Sequence, residues 1–162
     1  SSDVCSSDLN VSIATGAEYT AVLTGDAGNN QADGISFVIN STSAPSAGKA
    51  RVRVVHAAPI DPVLFNTRVD LRDSGTGSVV GGVSNLSFGD VSGSFEVNAN
   101  VVQDWYVAPA GTGGSLIDLD PFLLAEGEEI TVYITGGGAN RAIAGDVVTN
   151  FDTTYLPLIA TD

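Results

Sequence analysis

Short segments in which apolar and polar residues alternate are the feature that most constrains the fold. Between Ala50 and Ala57, two valines and His56 share one face, whereas Arg51 and Arg53 point to the other. Strands of this kind, with turn signals about every 8–12 residues, predict an all-β sandwich or barrel. We expect further strands around Arg68–Asp73, Val79–Val83, Asn85–Phe88, Gly93–Val97, Val101–Val107, Leu116–Leu124, Glu129–Thr135 and Thr154–Ala160.

The charge of the chain narrows the classes of partner. There are 19 acidic and 6 basic residues, a formal net charge of −13, and Lys49 is the only lysine. Nucleic acids and anionic membranes are bound through clusters of Lys and Arg, so the composition excludes both as partners. No apolar run reaches the length of about 18 residues that a membrane-spanning helix needs. An acidic, lysine-poor surface suits an extracellular setting.

Residues 1–9 differ in kind from the rest of the chain. They are what a common short-read sequencing adapter encodes, so we expect a translated adapter in a metagenomic fragment and leave them out of the fold argument. A polar leader is the alternative. Cys5 is the only cysteine, so we expect the natural chain to offer neither a disulfide nor a thiol nucleophile here. If the open reading frame begins at the end of a sequencing read, the absence of a targeting segment says nothing about where the protein is located.

An internal repeat indicates more than one domain. Gly16–Gly25 aligns with Gly127–Gly136 at a constant offset of 111 residues (16 to 127), with Gly, Glu, two Thr and Gly at matching positions. Farther along, Ile35–Ile39 resembles Tyr155–Ile159 after an insertion of nine residues in the second copy (155 − 35 = 120, against 111). The alternative is two unrelated hairpins that share a turn-strand-turn pattern.

The repeat predicts a division of the chain. Residues 10–40 are expected to be the C-terminal strands of a truncated preceding repeat, 41–48 a linker, and 49–162 a complete β-sandwich domain. A two-stranded ribbon is marginal in water. Residues 10–40 should therefore lie apart from the 49–162 core or lean on its exposed edge.

Few residues could carry catalysis. His56 is the only histidine, so a Ser-His-Asp system would have to use it. Its place on an apolar face favours a core or edge histidine that hydrogen-bonds a neighbouring loop backbone, with Asp90 as a plausible partner. The chain has no Gly-x-Ser-x-Gly motif, and one histidine with no native cysteine argues against zinc. Gly136–Gly138 lacks the Lys-Ser/Thr ending of a phosphate loop and is interpreted as a hairpin turn. We therefore expect no enzyme.

Calcium is the metal with the best case. Asp118 and Asp120 alternate onto one face of a predicted strand, and calcium takes six to eight oxygen ligands. Neither an EF-hand loop nor a glycine-aspartate nonapeptide is present, and solvated acidic loops explain the same residues. We expect no cofactor unless calcium binds. Further aspartates lie near predicted loops: Asp61, Asp70, Asp73, Asp90 and Asp146.

Aromatic residues give the best argument for a ligand site. Trp105 and Tyr106 are adjacent, so one should fill the core and the other, here assigned to Tyr106, should lie outside. Tyr133 is an odd number of positions from Ile130 and Ile134, so it lies on the other face of the strand and should also face outward. Exposed aromatic rings can stack on sugar rings. Cross-strand pairs that shield the sheet are the alternative.

The start of the predicted complete domain resembles a known family. Arg51–Pro59, Asn85–Ser92 with Phe95–Val97, and Leu124–Tyr133 resemble the signatures and closing strand of the domain of unknown function 4397 family. The resemblance marks His56, Pro59, Gly89 and Asp90 as signature residues and extends from Lys49 to about Ile159. It implies a bacterial or archaeal secreted or cell-surface protein built of tandem immunoglobulin-like antiparallel sandwiches. The family has no established activity, and the loop Ile60–Thr67 is longer than usual.

Two functions compete at this point. A structural or adhesive spacer at the cell surface or outside the cell fits the repeat, with neighbouring repeats of the same chain as partners. A carbohydrate- or protein-binding module that uses Tyr106 and Tyr133 is the alternative, with surface glycans or proteins as partners.

Overall fold

The computed structural model describes residues 19–26, 31–39, 43–137 and 142–150, which contain eleven β-strands and one 3₁₀ turn. In chain order these are β1 (Tyr19–Asp26), β2 (Gln31–Ile39), β3 (Lys49–His56), the 3₁₀ turn (Leu64–Thr67), β4 (Val69–Asp73), β5 (Phe95–Asn98), β6 (Val102–Gln103), β7 (Trp105–Pro109), β8 (Ile117–Asp118), β9 (Phe122–Leu123), β10 (Glu129–Thr135) and β11 (Ala144–Thr149).

Two sheets enclose one hydrophobic core. One sheet has the order β11-β10-β3-β5, the other has the order β4-β7-β8, and β6 and β9 form a short ribbon beside them. Within the described ranges all of these strand pairs are antiparallel except β3 with β10, which run parallel. The all-β prediction is confirmed. The core draws on both sheets and includes Val52, Val54, Val69, Leu71, Trp105, Val107, Ile130, Val132 and Ile134.

Strand β3 shows how alternation builds this core. Val52 and Val54 are fully buried on the core face, whereas Arg51 lies on the opposite face. There the Arg51 guanidinium forms an ion pair with Glu129 of β10 and lies 3.7 Å from a carboxylate oxygen of Glu96 on β5. The polar face of β3 therefore joins it to both neighbouring strands.

The segment after β4 is not the pair of strands that alternation predicts at Val79–Val83 and Asn85–Phe88. It runs along β4 as irregular backbone, with single bridges and hydrogen bonds such as Leu71 N–H to the Val83 carbonyl at 3.0 Å. The physical reason lies in the dihedral angles. Gly81, Gly82 and Asn85 have φ of 58°, 72° and 54°, and such left-handed backbone interrupts a pleated strand.

Two other predicted strands are each broken into two. Val101–Val107 covers β6 and the start of β7, and Leu116–Leu124 contains β8 and β9. In both segments the chain leaves one sheet for another, because β8 pairs with β7 whereas β9 pairs with β6. Pro121, which has no N–H to donate to a ladder, lies directly before β9.

The structure contains a strand, β11, that alternation did not predict. Strand β11 pairs with β10 in the same way as β2 pairs with β1. Strand β2 displaced by 111 residues is 142–150 (31 + 111 to 39 + 111), the range that holds β11. The registers differ by one residue, since Tyr19 lies opposite Ile39 whereas Ile130 lies opposite Thr149. Strand β11 therefore corresponds to β2 at the same offset, without the nine-residue insertion that the sequence comparison placed in the second copy. Tyr155–Ile159 and the predicted strand Thr154–Ala160 lie outside the described residues.

Hairpin β1–β2 is a sheet of its own within the described residues. A Cβ built on Gly89 would lie 4.0 Å from the Thr24 hydroxyl oxygen, so the hairpin is next to the Gly89 loop. The division into a partial repeat, a linker and a complete domain stays a prediction.

Gly81 and Gly82 provide a matched test of packing in the irregular segment. Both have positive φ, but a Cβ on Gly81 would lie 2.2 Å from the Phe95 ring, whereas a Cβ on Gly82 would meet nothing within 4 Å. We expect Gly81→Ala to lower the free energy of unfolding by about 2–4 kcal/mol and Gly82→Ala by only about 1 kcal/mol. Urea denaturation of both variants measures this. Equal losses would show that the Phe95 contact does not constrain the loop.

Candidate functional site

His56 lies at the end of β3 and is fully buried. Its Nε2 is 2.6 Å from the Thr67 carbonyl oxygen, and its Nδ1 is 3.4 Å from the Ala58 backbone nitrogen. A neutral ring that carries its proton on Nε2 satisfies both contacts, with Nε2 donating and Nδ1 accepting. Burial lowers the pKa of His56, and the Thr67 carbonyl and the Asp90 charge offset this only in part.

The two signature segments are joined through this histidine. The His56 N–H donates to the Asp90 carbonyl at 3.0 Å, and the Gly89 N–H donates to the His56 carbonyl at 2.7 Å. Asp90 therefore meets His56 through its backbone, and the loop partner of the ring is Thr67 at the end of the 3₁₀ turn. The Val54 N–H donates to the Ser92 hydroxyl at 2.9 Å. These contacts hold the second signature against the edge of β3.

A buried ion pair on β4 is a feature that sequence reasoning missed. Asp70, counted above among the acidic loop residues, is only 1% exposed. Its carboxylate accepts hydrogen bonds from the N–H groups of Asn85 at 2.9 Å and Gly111 at 3.0 Å, and from the Arg72 guanidinium at 2.7 Å. Arg72 also donates to the Gly77 carbonyl at 2.8 Å. The pair thereby fixes three loops.

The electrostatics of Asp70 suit a structural role. Burial raises the pKa of its carboxyl, but the N–H groups of Asn85 and Gly111 and the Arg72 guanidinium lower it by more. The net pKa is below its usual value, so Asp70 stays ionised at neutral pH, where its charge compensates that of Arg72.

The two predicted calcium ligands lie at the end of β8. Asp118 and Asp120 are both exposed, and Leu119 between them is buried. Asp118 accepts a hydrogen bond from the Ser115 hydroxyl at 2.7 Å. Over the described ranges, the structure groups no three His, Cys, Asp or Glu side chains where they could hold a metal ion. Calcium binding stays a prediction.

The two predicted ligand-binding tyrosines lie on different sheets. Tyr106 is on β7, next to buried Trp105 and opposite Arg72 of β4. Tyr133 is on β10, opposite Asp146 of β11. Both rings are half-buried. Because each faces away from the shared core, the tyrosines belong to opposite outer faces of the sandwich and cannot form one site.

A groove along β11 unites residues that the sequence suggested separately. It has a volume of about 680 Å³, and we call it the β11 groove. It brings together Tyr133 and Asp120, whereas Tyr106 and Asp118 do not line it. Asp146 and Phe122 are additions that β11 and β9 supply. The full lining is Asp120, Pro121, Phe122, Tyr133, Gly145, Asp146, Val147 and Val148.

Comparison with known proteins gives one family and one solved structure. The family model described as domain of unknown function (DUF4397) matches residues 1–65, which include the first signature segment. The match supports the predicted family resemblance over these residues. The second signature lies outside the matched residues. No curated protein matches the chain.

The solved structure is a determination of the C-terminal domain of AlgF from P. aeruginosa. It shares 24% sequence identity and a TM-score of 0.46 with this chain, covering 64% of this chain and 99% of the other. Within the described ranges of the present chain, no helix is long and apolar enough to cross a membrane.

His56 predicts a pH dependence of stability. Its pKa in the folded state is below the value of about 6.5 that it has when unfolded. The unfolded state therefore binds more protons, and stability falls as the pH drops below about 6.5, by at most about 1.4 kcal/mol per pH unit. In His56→Gln, whose amide can still donate to Thr67, unfolding titrations between pH 7 and 5 should show a smaller slope. An unchanged slope would contradict the assignment.

Asp70→Asn should destabilise the chain by about 3 kcal/mol, because it removes one partner of a buried pair and leaves Arg72 uncompensated. Asp118→Asn, on an exposed carboxylate, is the control and should change the free energy of unfolding by less than about 0.5 kcal/mol. Chemical denaturation measures both. Similar small effects of the two substitutions would show that the Asp70 pair does not organise the loops.

Proposed function

From the match of residues 1–65 to the DUF4397 family, we propose that the chain is a non-catalytic unit of a secreted or cell-surface tandem β-sandwich protein. Its role in that protein is that of a structural or adhesive spacer, and neighbouring repeats are its partners. The observation that carries this proposal is the pair of hairpins, β1–β2 and β10–β11, at one offset in the chain.

The segment between hairpin and sandwich supports a spacer of defined geometry. Composition predicts a linker here, and its described part, residues 43–48, is bonded to the sandwich. The Ser46 N–H donates to the Glu96 carboxylate at 2.9 Å, and the Gly48 N–H donates to the Glu126 carboxylate at 2.8 Å. Arg51 donates to the carbonyl groups of Ser43 and Ala44. A linker held at several points transmits orientation from one unit to the next.

The electrostatics of the linker agree with this arrangement. The Ser46 N–H lowers the pKa of Glu96, with smaller contributions from the charges of Arg51 and Lys49. Glu96 therefore stays ionised at neutral pH and remains a strong acceptor for the linker backbone. Arg51 serves twice, since it also pairs with Glu129 of β10. The same side chain thus connects the linker to the centre of the sheet.

The linker contacts give a direct test of stiffness. Arg51→Lys replaces a planar fork, whose two nitrogens donate to two carbonyl groups, by a compact ammonium on a flexible stem. We expect the backbone NMR order parameters of residues 44–48 to fall from about 0.85 to below about 0.6. Arg68→Lys, whose guanidinium lies 4.5 Å from the centre of the Phe65 ring, is the control. Unchanged order parameters in Arg51→Lys would argue against a clamped linker.

The array itself is tested by reading the complete gene on both sides of this segment. The proposal predicts an export signal upstream and further copies spaced by roughly one domain length, about 100–150 residues. A gene that encodes a single unit with neither an export signal nor a surface anchor would contradict it.

A further inference from the structure

The β11 groove combines the features of a ligand site on an otherwise solvated surface. Its lining includes Phe122, Tyr133, Asp120 and Asp146, contributed by β9 and its approach, β10 and β11. Concave sites with aromatic walls and a few polar groups are where small ligands bind.

The aromatic walls are held in place by the core and the sheet. Phe122 packs edge-on against buried Trp105, with ring centroids 5.1 Å apart and planes at 89°. Tyr133 projects from β10, which is bonded on both sides, to β3 and to β11. The contact with Trp105 already holds the Phe122 ring, so little conformational entropy is lost in ordering this ring when a ligand binds.

The polar groups of the groove are hydrogen-bond acceptors. Asp120 and Asp146 are exposed carboxylates, and an ionised carboxylate can only accept. Asp146 receives one long hydrogen bond, from the Thr135 hydroxyl at 3.4 Å. No lysine or arginine is among the lining residues described for the groove. The complementary ligand therefore supplies donors and carries no negative charge.

We propose that the β11 groove binds a glycan that lacks acidic groups, either neutral or amino-bearing. The C–H face of a pyranose ring fits an aromatic wall, and its hydroxyl or ammonium donors pair with Asp120 and Asp146. Uronate-containing and sulfated glycans are rejected by the two carboxylates and by the chain's net charge of −13.

The test is isothermal titration calorimetry on the full chain with four probes: oligomers of glucosamine, N-acetylglucosamine, glucose in β-1,4 linkage, and galacturonate. We expect binding of at least one of the first three and none of galacturonate. Tyr133→Ala should weaken that binding about tenfold, a loss of about 1.4 kcal/mol. Tyr106→Ala, on the opposite outer face, is the matched control and should leave it unchanged.

The carboxylates test the polar half of the site independently of any folding defect in Tyr133→Ala. Asp146→Asn and Asp120→Asn alter exposed side chains and should each weaken binding several-fold, whereas Asp118→Asn should have no effect. For the glucosamine oligomer the affinity should also fall as salt rises. No binding of any neutral or amino glycan, binding of galacturonate, equal losses in Tyr106→Ala, or binding of a lysine-rich peptide in place of the glycans would each overturn the proposal.

Discussion

The hydrogen bonding of β3 along both of its edges is the constraint on which the rest of the structure depends. On one edge it runs parallel to β10, with Arg51 opposite Glu129 and His56 opposite Ile134. On the other edge its first half pairs with β5, and its second half is bonded to the second signature loop. The parallel pairing of β3 with β10 needs a long connection, and the chain between these strands contains β4 to β9, including the whole of the second sheet.

This arrangement gives the family signatures a physical meaning. The first signature is β3 itself, and the second is the loop that completes its edge, so the two are parts of one contact. His56 connects them to the 3₁₀ turn through Thr67, and burial keeps its ring neutral. A histidine used in this way serves packing and hydrogen bonding. The β11 groove, the proposed glycan site, contains none of the signature residues His56, Pro59, Gly89 and Asp90.

Alternation of residue type predicted the strands that face the core on one side only. It placed β3, β4 and β10 within a residue or two, because most of their core-facing positions are apolar and most of the positions between them are polar. It predicted strands at 79–88, where positive φ angles turn the backbone, and it missed β11, whose Gly145 and Asp146 are typical of loops. In the candidate site, Tyr133 was predicted because its side chain should face outward, and Asp120 was predicted because it offers a carboxylate. Their meeting with Phe122 and Asp146 depends on how the two sheets pack, which local patterns do not encode.

We predict that the β3-centred sandwich and the β1–β2 hairpin open as two separate cooperative units, and native-state hydrogen exchange tests this central claim most directly. The Arg51 and Ala57 amides, bonded to Glu128 and Ile134 at 2.8 Å and 2.7 Å, report on β3. We predict that they exchange only with the largest opening free energy in the chain, whereas the β1 and β2 amides exchange through a smaller, separate opening. A single opening free energy shared by β1, β2 and β3 would contradict the account.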